Sequence, residues 1–131
     1  MNYIVISAEQ PPWSIPPAEL AQKMTARWPA TIITELSADS SFCFDFDMRM
    51  PHSRVVGSFD RSGSTFAMHR GDLRDMAQLA LWFRSMVPAE HPLIFCDEAC
   101  GYADGYSIAL TPETTETEIL KAFEFSPDRS G

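Results

Sequence analysis

Hydrophobic and polar residues alternate most clearly between positions 41 and 50, which read SFCFDFDMRM. Every even position in this stretch is a phenylalanine or a methionine. The odd positions from 43 hold a thiol and three charged groups, namely Cys43, Asp45, Asp47 and Arg49. Because successive side chains of a β-strand point to opposite faces of the sheet, the pattern predicts a strand with one buried face and one polar face.

Other apolar stretches predict further strands at about 3–7, 31–36, 53–60, 64–70, 93–96 and 105–111. The third and fourth of these form a hairpin in this interpretation, with the turn centred on residues 62–63. Such a turn sets Phe59 opposite Phe66. It also sets Gly57 opposite Met68, so that one face of the hairpin stays apolar. The run Leu-Ile-Phe-Cys at 93–96 is apolar on both faces and predicts a strand inside the sheet.

Three segments carry the spacing of amphipathic helices. The first, at about 17–28, has an apolar residue at every fourth position. The second follows Asp72, whose side chain can cap its first turn, and ends before Pro88. The third begins near Thr115, which matches a capping box with Glu118.

The predicted order of elements is β-α-β-β-β-β-α-β-β-α. Because only one or two of the connections can be parallel crossovers, we expect an α+β fold with a largely antiparallel sheet of about six to seven strands and three helices. The helices are expected on the face that carries Phe42, Phe44 and Phe46, which leaves the other face half open to water. Residues 1–125 are predicted to form a single domain and residues 126–131 a frayed tail.

The chain has 131 residues and a formal net charge of −8 at pH 7. Its only lysines are Lys23 and Lys121, and its arginines are scattered, so the sequence offers no basic patch for phosphate contacts. Nucleic-acid binding is therefore not expected. The acidic balance is typical of a solvated surface or of a protein that associates with a basic partner.

The sequence also bears on the cellular compartment. No apolar run approaches the ~20 residues that span a bilayer, and the N-terminus lacks the basic segment of a signal peptide. Three cysteines are too few and too unevenly spaced for a disulfide framework, which indicates reduced thiols. We therefore expect a cytoplasmic protein that does not contact a membrane.

The clearest candidate for chemistry is the carboxylate pair Asp45 and Asp47. On one strand face their Cα atoms should be about 6.5–7 Å apart. Such a pair can hold a divalent cation or serve as acid and base. Arg49 lies two positions further along the same face, which makes a row of solvated charge the simpler interpretation.

Other signatures of catalysis or metal binding are weak or missing. His91, Cys96 and Cys100, taken with Cys43, match structural zinc spacing poorly. The chain has no Gly-x-Ser-x-Gly and no glycine-rich phosphate loop. We therefore expect no catalytic residue, no metal ligand and no cofactor.

A second candidate site is the acidic segment at 97–104. Its carboxylates and its tyrosine are Asp97, Glu98, Tyr102 and Asp104. Tyrosine supplies contact area and carboxylates pair with Arg or Lys, a combination typical of protein-binding patches. The alternative is an ordinary solvated loop. Together with Asp45 and Asp47, these residues form the predicted partner-binding set.

The second half of the chain combines a long helix, a buried strand and a short last helix. Residues 70–98 read RGDLRDMAQLALWFRSMVPAEHPLIFCDE, and the last helix contains TEILKAF at 117–123. This half resembles small bacterial immunity proteins encoded beside polymorphic or contact-dependent growth-inhibition toxins. The resemblance implies an acidic α+β protein that neutralises a cognate toxin domain, often a basic nuclease, by direct binding. Binding residues differ between such families, so the resemblance assigns a role to no position.

We therefore expect a non-catalytic protein-binding protein, an immunity protein whose carboxylates match Arg and Lys on a toxin domain. The first alternative is a small enzyme or ligand-binding domain that uses the open sheet face around Asp45 and Asp47. The second is a subunit of a homo-oligomer that pairs through its amphipathic strands. The sequence names neither the partner nor the oligomeric state.

Overall fold

The computed structural model describes residues 3–9, 13–97 and 107–124, which form seven strands and three helices. The strands are β1 (Tyr3–Ser7), β2 (Ile32–Glu35), β3 (Phe42–Arg49), β4 (Arg54–Asp60), β5 (Thr65–Arg70), β6 (Leu93–Asp97) and β7 (Ser107–Leu110). The helices are α1 (Pro17–Arg27), α2 (Leu73–Met86) and α3 (Glu116–Glu124). The order of elements is the predicted one, which confirms the α+β fold.

All seven strands belong to one sheet, in the order β2-β3-β4-β5-β1-β6-β7. Every neighbouring pair is antiparallel. In the β4–β5 hairpin Phe59 lies opposite Phe66 and Gly57 opposite Met68, which confirms the predicted register. β6 lies inside the sheet, between β1 and β7, as its apolar sequence predicted.

The three helices pack on one side of the sheet. Leu20 and Met24 of α1 are fully buried in the same core as the strand aromatics. Phe83 of α2 stacks on Phe66 at 5.1 Å between ring centroids. Phe123 of α3 meets the ring of Phe95 edge to face at 5.1 Å. Burial of these aromatic rings against the sheet is the main force that fixes the helices to it.

The opposite side of the sheet carries no described helix, and we call it the open face. The central row of its residues runs across the strands as Thr34, Asp45, Ser58, Ala67, Ile4, Cys96 and Ser107. The row is polar on β2, β3 and β4, apolar on β5, β1 and β6, and polar again on β7. The open face is therefore amphipathic across its width.

The helix ends follow the predicted capping chemistry. The side chain of Asp72 accepts a hydrogen bond from the Arg74 amide at 2.8 Å, at the start of α2. The Glu118 amide donates to Thr115 Oγ1 at 3.2 Å, and the Thr115 amide donates to Glu118 Oε1 at 3.1 Å. This reciprocal pair confirms the capping box. None of the described helices combines the length and the apolar character needed to cross a bilayer.

Gly57 is the point of closest approach inside the sheet. A Cβ atom at this position would lie 2.2 Å from the Ala67 carbonyl oxygen and 2.4 Å from the Phe46 ring. The missing side chain lets the ring of Phe46 cross over β4 and stack on Phe66, with centroids 5.2 Å apart. Glycine is therefore required here by space.

Phe42 does not join the core, and the prediction that it faces the helices is wrong. The register between β3 and β4 shifts between Phe42 and Phe44, which places Phe42 opposite Asp60. A bulge of this kind adds one residue and reverses the alternation beyond it. The Phe42 ring lies 6.3 Å from the ring of His69, between centroids, whereas Cys43 packs against the core.

Candidate functional site

A row of hydrogen-bonded polar side chains crosses β3, β4 and β5 on the open face. Ser58 stands opposite Asp45 in register, and its hydroxyl lies 2.6 Å from Asp45 Oδ1. The same hydroxyl lies 3.0 Å from Nε2 of His69. Ser58 is buried, at 4% exposed, whereas His69 is exposed. Sequence reasoning missed Ser58 and His69, although the register of two successive hairpins predicts that Ser58 neighbours Asp45.

The order of groups in this row differs from that of a nucleophilic triad. In such a triad a histidine stands between the serine and the carboxylate and removes the serine proton. Here the serine stands in the middle, and its proton is directed at Asp45. The hydroxyl is also shielded from solvent. The row therefore links three strands by hydrogen bonds and does not present an activated nucleophile.

Asp47 is held by an arginine from the neighbouring strand. Nε of Arg54 donates to Asp47 Oδ1 at 3.1 Å, and Nη2 of the same guanidinium contacts Oδ2. This two-point pairing has the geometry that suits arginine and carboxylate best. The sequence suggested Arg49 as the charge partner of the Asp45–Asp47 pair, whereas in the structure the ion pair of Asp47 is with Arg54. Arg49 lies opposite Arg54, exposed at the edge of a shallow cleft of about 280 Å³ that Ile32 and Asp47 also line.

Asp97 is buried rather than exposed. It is the last residue of β6, lies opposite Tyr3 and is 2% exposed. Because Tyr3 belongs to the core, Asp97 lies on the helix-covered side of the sheet. The expectation that its carboxylate contributes to an acidic surface is therefore wrong. The other predicted residues of this segment, Glu98, Tyr102 and Asp104, lie outside the described residues.

The cysteines differ from one another. Cys43 is a free thiol of intermediate exposure. Cys96 is fully buried and disulfide-bonded, so the expectation of a reduced thiol is wrong for this residue. Cys100, the other cysteine of the weak zinc pattern, lies outside the described residues. Within the described ranges, no three His, Cys, Asp or Glu side chains come together in a way that could hold a metal ion.

A second surface feature is a cleft of about 470 Å³ between the C-terminal end of α2 and the adjoining ends of β6 and β7. Its buried lining residues include Leu93 and Leu110, and its exposed ones include Glu90 and Glu113. A smaller cleft of about 330 Å³ adjoins it and shares Arg84 with it. This cleft could not be predicted from a single stretch of the sequence, because its residues come from three separate segments.

Arg84 is the buried charge that shapes this cleft. At 3% exposed, its guanidinium donates to the carbonyls of His91 at 2.7 Å, Pro88 at 2.8 Å and Val87 at 3.2 Å. Burial lowers the pKa of Arg84, and the negative charge of Glu113 acts in the opposite direction. Its Nε is buried without a partner among the described residues. Arg84 lies four residues, about one helical turn, after the buried Ala80. Its place on the buried side of α2 was therefore predictable from the sequence.

His91 is fixed from both sides. Its Nδ1 pairs with the carboxylate of Glu9, and its ring lies 6.2 Å from that of Trp13, between centroids. Because the His91 carbonyl also accepts from Arg84, one residue joins the end of α2 to the connection that follows β1. These contacts hold one wall of the cleft in place.

The chain matches no protein-family model, no curated protein and no solved structure. A functional interpretation therefore rests on the residues themselves. The two surfaces that offer one are the open face around Asp45 and Asp47 and the cleft at the end of α2.

Proposed function

We propose that this protein is a non-catalytic binding protein, an immunity protein that neutralises a cognate bacterial toxin domain by direct contact. The observation that carries the proposal is the open face. Its accessible part surrounds the half-buried carboxylates of Asp45 and Asp47, where Ile32, Thr34, Arg49 and His69 are exposed. Farther across the same face, Ala67 and Cys96 are buried.

The composition of the open face supports a protein partner. Phe42 and Ile32 place apolar side chains beside the carboxylates, and Ile32 is 59% exposed. Large apolar side chains next to charged groups are the usual anatomy of a binding patch. Ser58 and Arg54 already hold Asp45 and Asp47 in place. A carboxylate that is ordered beforehand loses less entropy when a partner arrives.

The charge of the chain supports a basic partner. A net charge of −8 attracts a positively charged domain over a distance and speeds the encounter. The resemblance to immunity proteins points the same way, with a basic nuclease as the expected toxin. A cytoplasmic location belongs to the same proposal. The disulfide at Cys96 weighs against that location, because stable disulfides are rare in a reducing compartment.

The test is co-expression with the products of the neighbouring genes, one of which is expected to be the cognate toxin domain. We expect rescue of growth and a one-to-one complex that elutes as a single species. The double variant Asp45→Asn and Asp47→Asn should raise the Kd at least tenfold, and 0.5 M salt should weaken wild-type binding. The matched control Glu19→Gln and Glu35→Gln removes the same charge at exposed positions outside β3. Absence of a complex contradicts the function, whereas a salt-independent complex that tolerates both double variants contradicts only the role of the carboxylates.

One observation favours the homo-oligomer as a second candidate. β2 is an edge strand. Its Ile32 is the most exposed large hydrophobic residue in the described part of the chain. An exposed edge can pair with the same edge of a second copy. Light scattering at several concentrations tests this alternative. A dimer that Ile32→Lys converts to a monomer supports it, and a strict monomer removes it.

A further inference from the structure

We propose that the cleft at the end of α2 is an anchor site for one apolar side chain of the partner, flanked by lysine or arginine. This inference rests on the proposed function and adds a second contact to the open face. The occupant is a short basic segment of the toxin domain. The argument depends on the size of the cleft, the charges on its rim and the rigidity of its walls.

The size and lining of the cleft suit a short peptide segment that carries one large apolar side chain. Its volume of about 470 Å³ falls in the range of ~300–1,000 Å³ that is usual for ligand pockets. Leu93 and Leu110 line it from the buried side and are 3% and 1% exposed. Pro92, Pro112 and Ala109 complete an apolar lining. Burial of an aliphatic or aromatic side chain there favours binding, because it removes apolar surface from water.

The charges on the rim favour basic residues beside that side chain in the partner. Glu90 and Glu113 are exposed and come from different connections of the chain. The described ion pair of Glu90 is a loose one, 3.9 Å from Nε2 of His91. The charge of Arg84 is directed inward, at three backbone carbonyls. The two carboxylates outnumber the one buried guanidinium, so the rim favours a basic segment over an acidic one.

The walls of the cleft are ordered before a partner arrives. The Arg84 guanidinium donates to two backbone carbonyls of the connection between α2 and β6, and the carboxylate of Glu9 pairs with the ring of His91. The Ala8 amide also donates to the Pro92 carbonyl at 2.9 Å. A preformed site needs little reorganisation, which favours its use as an anchor.

The experiment titrates the complete chain with a short peptide and follows the amide signals by NMR. The probe is acetyl-Lys-Phe-Lys-amide, and the controls are acetyl-Lys-Ser-Lys-amide and acetyl-Glu-Phe-Glu-amide. We expect saturable shifts at the amides of residues 89–91, 93, 109–111 and 113 with the probe alone. Shifts confined to other regions, equal shifts with all three peptides, or no shifts at millimolar peptide overturn the inference.

Variants separate the two features of the site. Ala89→Trp places a ring in the cleft, and Glu90→Gln with Glu113→Gln removes the rim charges. Each should weaken probe binding at least fivefold. The matched controls are Ala18→Trp on α1 and Glu19→Gln with Glu35→Gln, all at exposed positions outside the cleft. Wild-type affinity in both cleft variants overturns the inference.

The outcome for the cleft is separable from the outcome for the proposed function. If the toxin domain binds wild type and Ala89→Trp equally, the protein is an immunity protein but the cleft is not its anchor. If the peptide binds in the cleft while no toxin domain forms a complex, the anchor site stands and the proposed function fails.

Discussion

Ser58 directs its only hydroxyl proton at Asp45 across the β3–β4 pair, over 2.6 Å. An ionised carboxylate can only accept, so this proton cannot serve a second partner. The nitrogen of His69 at 3.0 Å from the same hydroxyl must therefore act as the donor. The row has a single consistent direction of donation, from His69 to Ser58 to Asp45.

The first prediction concerns the energy of this contact. Ser58→Ala leaves a partly buried carboxylate without its donor, and we expect a loss of about 1–2 kcal/mol in the free energy of unfolding. Urea unfolding of Ser58→Ala, Asp45→Ala and the double variant measures the coupling between the two side chains. We expect a coupling of about 1 kcal/mol, and strictly additive losses would show that the contact contributes nothing.

The second prediction concerns the tautomer of His69. If Nε2 is the donor, the neutral ring carries its proton on Nε2 and leaves Nδ1 as an acceptor. Long-range proton–nitrogen NMR of the imidazole ring distinguishes the two forms. We expect the Nε2–H form in the wild type and a shift toward a mixture in Ser58→Ala. The Nδ1–H form in the wild type would reverse the assigned direction of donation.

The third prediction concerns acid stability at the start of α2. Hydrogen bonds from the Arg74 side chain and amide lower the pKa of Asp72 from 3.8 to about 2. As pH falls, the unfolded state binds this proton first, so the stabilisation is present above about pH 4 and is lost towards pH 2. Asp72→Asn keeps a capping residue but does not titrate.

Urea unfolding at pH 4 and at pH 2 tests this linkage. The wild type should lose about 1 kcal/mol more than Asp72→Asn over this interval, which is below the full linkage value because the pair is partly exposed. Arg74→Gln is the matched variant, because it removes the guanidinium that contacts Asp72. An unchanged pH dependence in both variants would contradict the assignment.

The fourth prediction concerns Gly57. Gly57→Ala places a methyl group against the Ala67 carbonyl and the Phe46 ring, and we expect a loss of about 3 kcal/mol or more, or failure to fold. Adding Phe46→Leu relieves the contact with the ring but not the contact with the backbone, so the double variant should stay unstable. A Gly57→Ala protein within about 1 kcal/mol of the wild type would contradict the observed packing.

The alternation of side chains and the turn residues predicted the elements of this fold because both signals are local. The β4–β5 register followed from a turn at residues 62–63, since a short turn leaves its flanking strands one pairing. The starts of α2 and α3 followed from capping residues for the same reason. Helix stripes and strand faces then fixed which side of each element is buried.

The errors arose where a contact depends on a neighbouring strand. A bulge adds one residue without changing the alternation in the sequence, so Phe42 was assigned to the wrong face. β6 extends one residue beyond its apolar run. Alternate residues of a strand share a face, so Asp97 lies on the core side with Phe95. The ion pair of Asp47 with Arg54 depends on the β3–β4 register, which no single strand reveals. The cleft around Arg84 joins segments that are distant in sequence.

The place of β1 in the sheet has a consequence for how the chain is assembled. β1 joins the meander β2–β5 to the hairpin β6–β7, yet it is synthesised before all of them. Its flanking strands leave the ribosome much later, and pairings between distant segments form slowly. The meander has local turns and can form first, while the five residues of β1 wait unpaired. The strand that is made first is thus the one that completes the sheet.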